Sequence, residues 1–333
     1  MLVLHIGPHK TATTYIQQNL FANHSAFSQR GWIYPEIGVV GVSGHHDIAS
    51  DLESYISGDK AEALAAVGRK AAEAGSNIVL SAEGFCRWKP EKFKALATVL
   101  GQEEVELVYT IRDPFDILYS YWGEEVKQGY SASFSDRFLE NLTSGTRSRL
   151  LNPMRDLSAH LATPWAKVSA VPYNALIADG VDLYDHFCST FLHVTDVPKV
   201  DERPKNKANA IELTEFLRLL STVHGGGAAY IGSDLRHKFM EITSAKDRSE
   251  IVDVLRNLGG RARRKIEMEG ADTLKRRLEN VVLKGLAGHW SYPVEGRSLY
   301  NTNKQEFAYY DAFILWQIDP IREAVIKMRD RLS

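Results

Sequence analysis

The sequence predicts an α/β protein in three layers, with helices on both faces of a central parallel sheet and a mainly helical portion at the C-terminal end. Two observations carry this expectation. Largely apolar runs at residues 2–6, 78–80, 105–111 and 166–172 suit the strands of a buried sheet. Segments rich in helix formers lie between them, and alternating strands and helices favour a parallel sheet. A third observation places the working edge. Two of the runs lead directly into Gly7 and Arg112, at strand ends where open α/β sheets bind ligands.

In chain order, residues 2–6 feed Gly7-Pro8-His9-Lys10-Thr11-Ala12-Thr13-Thr14 and then the helix-like stretch 15–20. A buried strand that ends in a small-residue turn and opens into a helix aims backbone N–H groups and the positive end of the helix dipole at one spot. That spot suits a phosphate. Lys10 adds a mobile charge, and Thr11, Thr13 and Thr14 add hydroxyl donors. The spacing is not that of the triphosphate loop G-x-x-x-x-G-K-[ST], because Lys10 is only the third residue after Gly7. Ala12 is read here with a helical φ, which costs an alanine nothing.

Residues 32–35 and the Gly-rich passage 38–44 read as a loop over the open end of the sheet, delivering His45, His46 and Asp47. Residues 60–74 form a helix that Gly75 stops. The run 77–84 is a short strand ending in polar residues, among them Glu83. A helix over 90–100 precedes the strand 105–111, which leads into Arg112-Asp113-Pro114. Asp113 suits an N-cap and Pro114 the first helical position, so a helix runs to about Lys127 with Ser120 in its second turn. A further strand at 166–172 and a helix near 183–191 complete an α/β domain over residues 1–220. Charged, helix-forming sequence follows over 221–333, either as a separate portion packed on that domain or as part of one single domain. The basic run Arg261, Arg263, Arg264 and Lys265, with Lys275, Arg276 and Arg277, reads as the solvated face of a charged helix, with attraction of an acidic glycan or closure over a bound nucleotide as the alternatives. Trp88 and Trp122 read as core residues, with a sugar-stacking role as the alternative.

Length and composition suit a chain able to bury a full core: 333 residues, 44% of them hydrophobic. A net charge of −2 gives no overall footprint for nucleic acid or an anionic membrane, so any basic site is local. A strand beginning at residue 2 leaves no room for a secretory leader, and no apolar run reaches the roughly 18 residues of a membrane span. The expectation is a cytoplasmic protein. Two cysteines, Cys86 and Cys188, make neither a disulfide framework nor a zinc site.

The loop around Lys10-Thr11-Ala12-Thr13-Thr14, taken with Arg112-Asp113-Pro114 and a serine eight residues after the arginine, resembles the phosphate-binding elements of the sulfotransferases that use 3′-phosphoadenosine 5′-phosphosulfate (PAPS). In that family the loop usually reads K-T-G-T-T, so Ala12 stands where a glycine is common. The resemblance covers about residues 1–220 and points to bacterial members that act on carbohydrates. Pro172-Tyr173-Asn174-Ala175-Leu176 with Gly180-Val181-Asp182 is a weaker match, and the family's C-terminal nucleotide-covering loop has no clear counterpart.

The resemblance implies a fold of the P-loop nucleotide-kinase type. It places the 5′-phosphate on the loop, from Gly7 and His9 through Thr14, and the 3′-phosphate on Arg112 and Ser120. It also places Lys10 against the bridging oxygen of the leaving nucleotide. The implied reaction is metal-free, in-line transfer of a sulfuryl group to a hydroxyl or amine, with a glycan or a small molecule as acceptor. Glu83 is the first candidate for the base, its pKa raised by partial burial, and His46, beside His45, is the second. The competing functions are a Mg²⁺-dependent nucleotide kinase and a binding module without chemistry.

Overall fold

The computed structural model describes residues 1–41, 43–200, 210–270 and 272–332. Parts of the Gly-rich passage 38–44 and of the charged sequence after Pro198 therefore lie outside the described residues. The chain divides into two units. The first comprises Met1–Pro114, Asn152–Arg203 and Thr273–Asn301, and the second Phe115–Leu151, Pro204–Asp272 and Thr302–Ser333.

The first unit is built on a five-stranded sheet in which every pairing is parallel: β1 (Leu2–His5), β2 (Trp32–Ile33), β3 (Asn77–Ser81), β4 (Val105–Ile111) and β5 (Ala166–Pro172), in the order β2-β3-β1-β4-β5. Every residue of β1 and β4 is buried, as is all of β3 but Asn77, which is why these runs are continuously apolar. Glu106 is the exception within β4. Its carboxylate accepts hydrogen bonds from Ser169 Oγ at 2.5 Å and pairs with Lys167 Nζ at 2.9 Å, both from the neighbouring β5. β2 falls where the sequence predicts a loop, and at two residues it is too short to show a periodicity.

Helices α1 (Thr13–Ala22), α2 (His46–Ser50), α3 (Ala61–Glu73) and α4 (Pro90–Val99) follow in this unit. Val3, Val79 and Val108 of the sheet share one core cluster with Ile16 and Leu20 of α1 and with Phe187 and Phe191 further along. Gly68, inside α3, is required by packing: a Cβ there would lie 2.5 Å from the carbonyl oxygen of Leu100. From β1 the chain runs through β2 and β3 on one side of the sheet, then through β4 and β5 on the other. The carboxyl ends of β1 and β4 therefore flank the topological switch point, where open α/β sheets form their ligand crevice.

The second unit contains most of helix α5 (Pro114–Lys127), which starts at the proline as expected. Helix α6 (Ile211–His224) is its centre, buried on nearly every face from Glu212 to Ser221. Its buried charges are paired: Arg218 Nε donates to Glu215 at 2.6 Å, and Glu215 and Arg218 bond the backbone N–H and C=O of Tyr310 at 2.9 and 3.1 Å. The expected boundary at residue 220 falls inside α6. The mainly helical C-terminal portion also contains a two-stranded ribbon. Arg263, Arg264 and Lys265 lie on β6 (Arg263–Met268), antiparallel to β7 (Gln305–Tyr310). Cross-strand ion pairs, Lys265 with Glu306 at 3.1 Å and Lys304 with Glu267 at 2.8 Å, hold this charged sequence in a ribbon. Trp122 is buried against Tyr119 and Phe134, so it serves the core. Among the described residues, no helix is long and apolar enough to cross a membrane.

Helix α7 (Thr273–Gly285) returns the chain to the first unit. Lys275, expected on a solvated face, is instead buried and pairs with the fully buried Asp113 at 2.7 Å.

Candidate functional site

The β1 ladder ends where Ile6 N–H donates to Val108 O at 2.9 Å. Within the next seven residues the chain reverses into α1. Thr11 Oγ1 donates to the Pro8 carbonyl at 2.7 Å and closes the turn. Lys10 and Ala12 both take left-handed backbone conformations, with φ of 68° and 61°, and Thr11 between them has negative φ. Alternating handedness of this kind turns successive N–H groups toward one side and makes a concave anion nest. The helical φ expected for Ala12 is therefore corrected. Ala12 is the residue from which the helix must start, its carbonyl accepting from the N–H of Tyr15 at 3.1 Å and of Ile16 at 3.3 Å. The left-handed state costs a non-glycine residue about 1–2 kcal/mol, so the loop stores strain at two positions. No side chain caps α1, so the N–H groups of Thr13 and Thr14 at its start have no side-chain acceptor.

The threonines divide. Thr11 and Thr13 are buried and donate their hydroxyl protons within the protein, Thr11 to Pro8 and Thr13 Oγ1 to Glu83. Their expected role as hydroxyl donors to phosphate is thus replaced by a structural one, and only Thr14 remains half-buried at the mouth. His9 is exposed and Lys10 half-buried. Gly7 sits above a buried polar floor: a Cβ there would lie 3.2 Å from His5 Nε2, 3.3 Å from Thr11 Oγ1 and 3.5 Å from Thr110 Oγ1. His5 Nδ1 is 2.8 Å from Ser81 Oγ, and burial, opposed by the nearby Glu83 charge, pushes the imidazole down to about 4.

Glu83 follows β3 and opens a short 3₁₀ turn, Glu83–Arg87. Its carboxylate accepts from Thr13 Oγ1 and from Gln17 Nε2 at 3.4 Å, and faces His46 Nδ1 at 3.4 Å. Burial pushes its pKa up, but the Thr13 hydrogen bond and the His46 charge outweigh it, and the group lies below the usual glutamate value. The expectation of a raised pKa is corrected. An ionised, multiply hydrogen-bonded Glu83 is a poor proton acceptor but a good orienting partner. When His46 donates Nδ1–H to Glu83, its Nε2 is the basic nitrogen. Gly44 gives the ring its place, since a Cβ there would stand 2.5 Å from His46 Nε2. His45, in contrast, is structural. Its Nδ1 accepts from Ser81 N–H at 3.1 Å, its Nε2 donates to Pro35 O at 2.9 Å, and burial pushes its pKa down to about 4.

Arg112 leaves the end of β4 and reaches the loop itself. Its Nη1 donates to the Lys10 carbonyl at 2.5 Å, and its guanidinium lies 5.1 Å over the Tyr173 ring. Next to it, Asp113 N–H donates to Asn174 Oδ1 at 3.0 Å, and the Asp113 carboxylate takes Lys275 Nζ and the Asn301 N–H at 2.9 Å. The loop, Glu83, His46 and Arg112 all belong to the first unit. Ser120 lies half-buried on α5, in the second unit. Trp88 is buried against Phe85 and Phe93.

Three contributors escaped the sequence reading. Gln17 stands four residues after Thr13, on the same face of α1, and that spacing was a usable signal. Tyr173 lies in the weaker matching segment, but nothing in its position tells that it carries the arginine. Lys275 has no local signal, because only the fold sets it against Asp113. In comparisons with family models, curated proteins and solved structures, the chain matches none of them.

Proposed function

We propose that this protein is a sulfotransferase that moves a sulfuryl group from PAPS to a hydroxyl or amine of an acceptor, on a three-layer sheet of the P-loop nucleotide-kinase type. One observation carries the reading. Two candidate phosphate-binding elements, 102 residues apart in the chain, meet at the switch point through the Arg112–Lys10 hydrogen bond. The left-handed residues of the loop and the uncapped start of α1 add the geometry of an anion site.

In this mechanism the loop N–H groups from His9 to Thr14 hold the 5′-phosphate, and Arg112 takes the 3′-phosphate with its fork-shaped guanidinium. The acceptor oxygen gives its proton to His46 Nε2 and attacks sulfur as the bond from sulfur to the bridging oxygen breaks. The nucleotide leaves as 3′,5′-adenosine bisphosphate, and Lys10 neutralises the charge that builds on the bridging oxygen. Glu83 holds the imidazole and balances its charge as it becomes imidazolium. The acceptor is a carbohydrate or a small molecule, and the chemistry needs no metal.

The test is transfer of radiolabelled sulfate from PAPS onto pools of carbohydrate and small-molecule acceptors. Lys10→Ala is expected to keep nucleotide affinity within a few-fold and to lose about 10²–10³ in turnover. Equal turnover in the variant and the parent protein contradicts the assignment.

A further inference from the structure

The geometry points to a second ligand surface: the outer face of α7 is a docking groove for an acidic, carboxylate-bearing polysaccharide. The groove has a volume of about 460 Å³ and is lined by Thr273, Arg276, Arg277, Asn280, Val281 and Lys284. These six positions recur at three- and four-residue spacing, so they form one stripe of the helix. All six are exposed, while Lys275, Leu278 and Val282 on the opposite side are buried. The Lys275–Asp113 pair fixes the rotation of the helix about its axis and so fixes which side faces out.

Three features of the stripe call for a polyanion. Arg276, Arg277 and Lys284 are exposed and have no ion-pair partner among the described residues. The one acid of α7, Glu279, is turned away and accepts hydrogen bonds from Ser298 Oγ at 2.7 Å and from the backbone of Leu299 and Tyr300. The cations are also spread along the helix, with Arg277 and Lys284 two turns and so about 10 Å apart.

The composition of the stripe selects the kind of polyanion. Nucleic-acid sites commonly engage about 6–10 phosphates, and single-strand sites add aromatic platforms. Here there are three cations and no aromatic residue. Clusters that hold anionic membranes carry about 4–8 basic residues, again more than α7 offers. A sugar chain charged at intervals fits better. Arginines grip carboxylates in a bidentate manner, Thr273 and Asn280 match hydroxyl groups between the charges, and Val281, 40% exposed, offers an apolar contact for a pyranose face. The proposal stands apart from sulfuryl transfer, because its readout is binding alone.

The experiment is affinity electrophoresis of the full chain through gels containing polygalacturonate. Parallel gels contain neutral dextran or poly-L-glutamate, and gel shifts with a 20-residue oligothymidylate and flotation with phosphatidylserine vesicles accompany them. The variant Arg276→Ala/Arg277→Ala/Lys284→Ala is compared with Lys70→Ala/Lys89→Ala/Lys94→Ala, which removes the same charge from exposed positions elsewhere. The expected result is retardation by polygalacturonate above that by any other probe, salt-sensitive, weakened at least tenfold in the α7 variant and within twofold of the parent in the control. Circular dichroism and the melting temperature confirm that both variants are folded. The proposal is overturned by no retardation in polygalacturonate, by equal loss in both variants, by an unchanged α7 variant, or by tighter binding of any comparison probe.

Discussion

At the scale of single residues, the site is defined by conformations and charges that a sequence does not spell out. Ala12 occupies a left-handed φ that glycine adopts freely. Ala12→Gly should therefore stabilise the protein by about 1 kcal/mol, the relieved strain exceeding the added freedom of the unfolded chain; urea denaturation measures it, and a fall in stability contradicts the strain. His5 and His45 are buried with pKa values near 4, below the ordinary 6.5. The unfolded state then binds more protons than the folded one between those values, so stability is full above about pH 6.5 and falls as pH drops toward 4. Each imidazole contributes up to about 3 kcal/mol to that fall. Denaturation midpoints across this range should show the slope, and His45→Gln should reduce it. Glu83 adds a second decline at lower pH, because its folded pKa lies below the unfolded one; in Glu83→Gln that decline disappears.

At the scale of elements, what was legible depended on where each segment's partners lie. β1, β3, β4 and β5 could be read because burial favours apolar residues over most of each run, with Glu106 in β4 and Lys167 and Ser169 in β5 as polar interruptions. Helix α5 could be read from Pro114, a local signal. β2 could not, being two residues long, and β6 could not, because Lys265 is held by Glu306 across the ribbon rather than by any pattern of its own strand. In the site, Lys10, Arg112, Glu83 and His46 were legible as residue types at strand ends, whereas the left-handed turn and the downward shift of Glu83 follow from contacts made by folding. The link between α7 and β4 is the clearest case of a hidden contact. Lys275→Met strands the fully buried Asp113 carboxylate and should cost about 3–5 kcal/mol, while Lys275→Met with Asp113→Asn should recover part of it. Thermal denaturation of Lys275→Met, Asp113→Asn and the double variant checks this, and additive losses contradict a direct pair.

At the scale of the molecule, the chain visits its first unit in three separate segments; the loop, His46, Glu83 and Arg112 come from the first, Tyr173 from the second and Lys275 from the third. The sheet puts β1 and β4 side by side at the switch point, so the two candidate anion-binding elements converge from distant sequence. That convergence is the central claim, and isothermal titration calorimetry of 3′,5′-adenosine bisphosphate into the full chain, in the presence of a metal chelator, tests it most directly. The account predicts saturable one-to-one binding that weakens at least tenfold in Arg112→Ala. No binding without metal, with Mg²⁺-dependent binding of ATP instead, would contradict it.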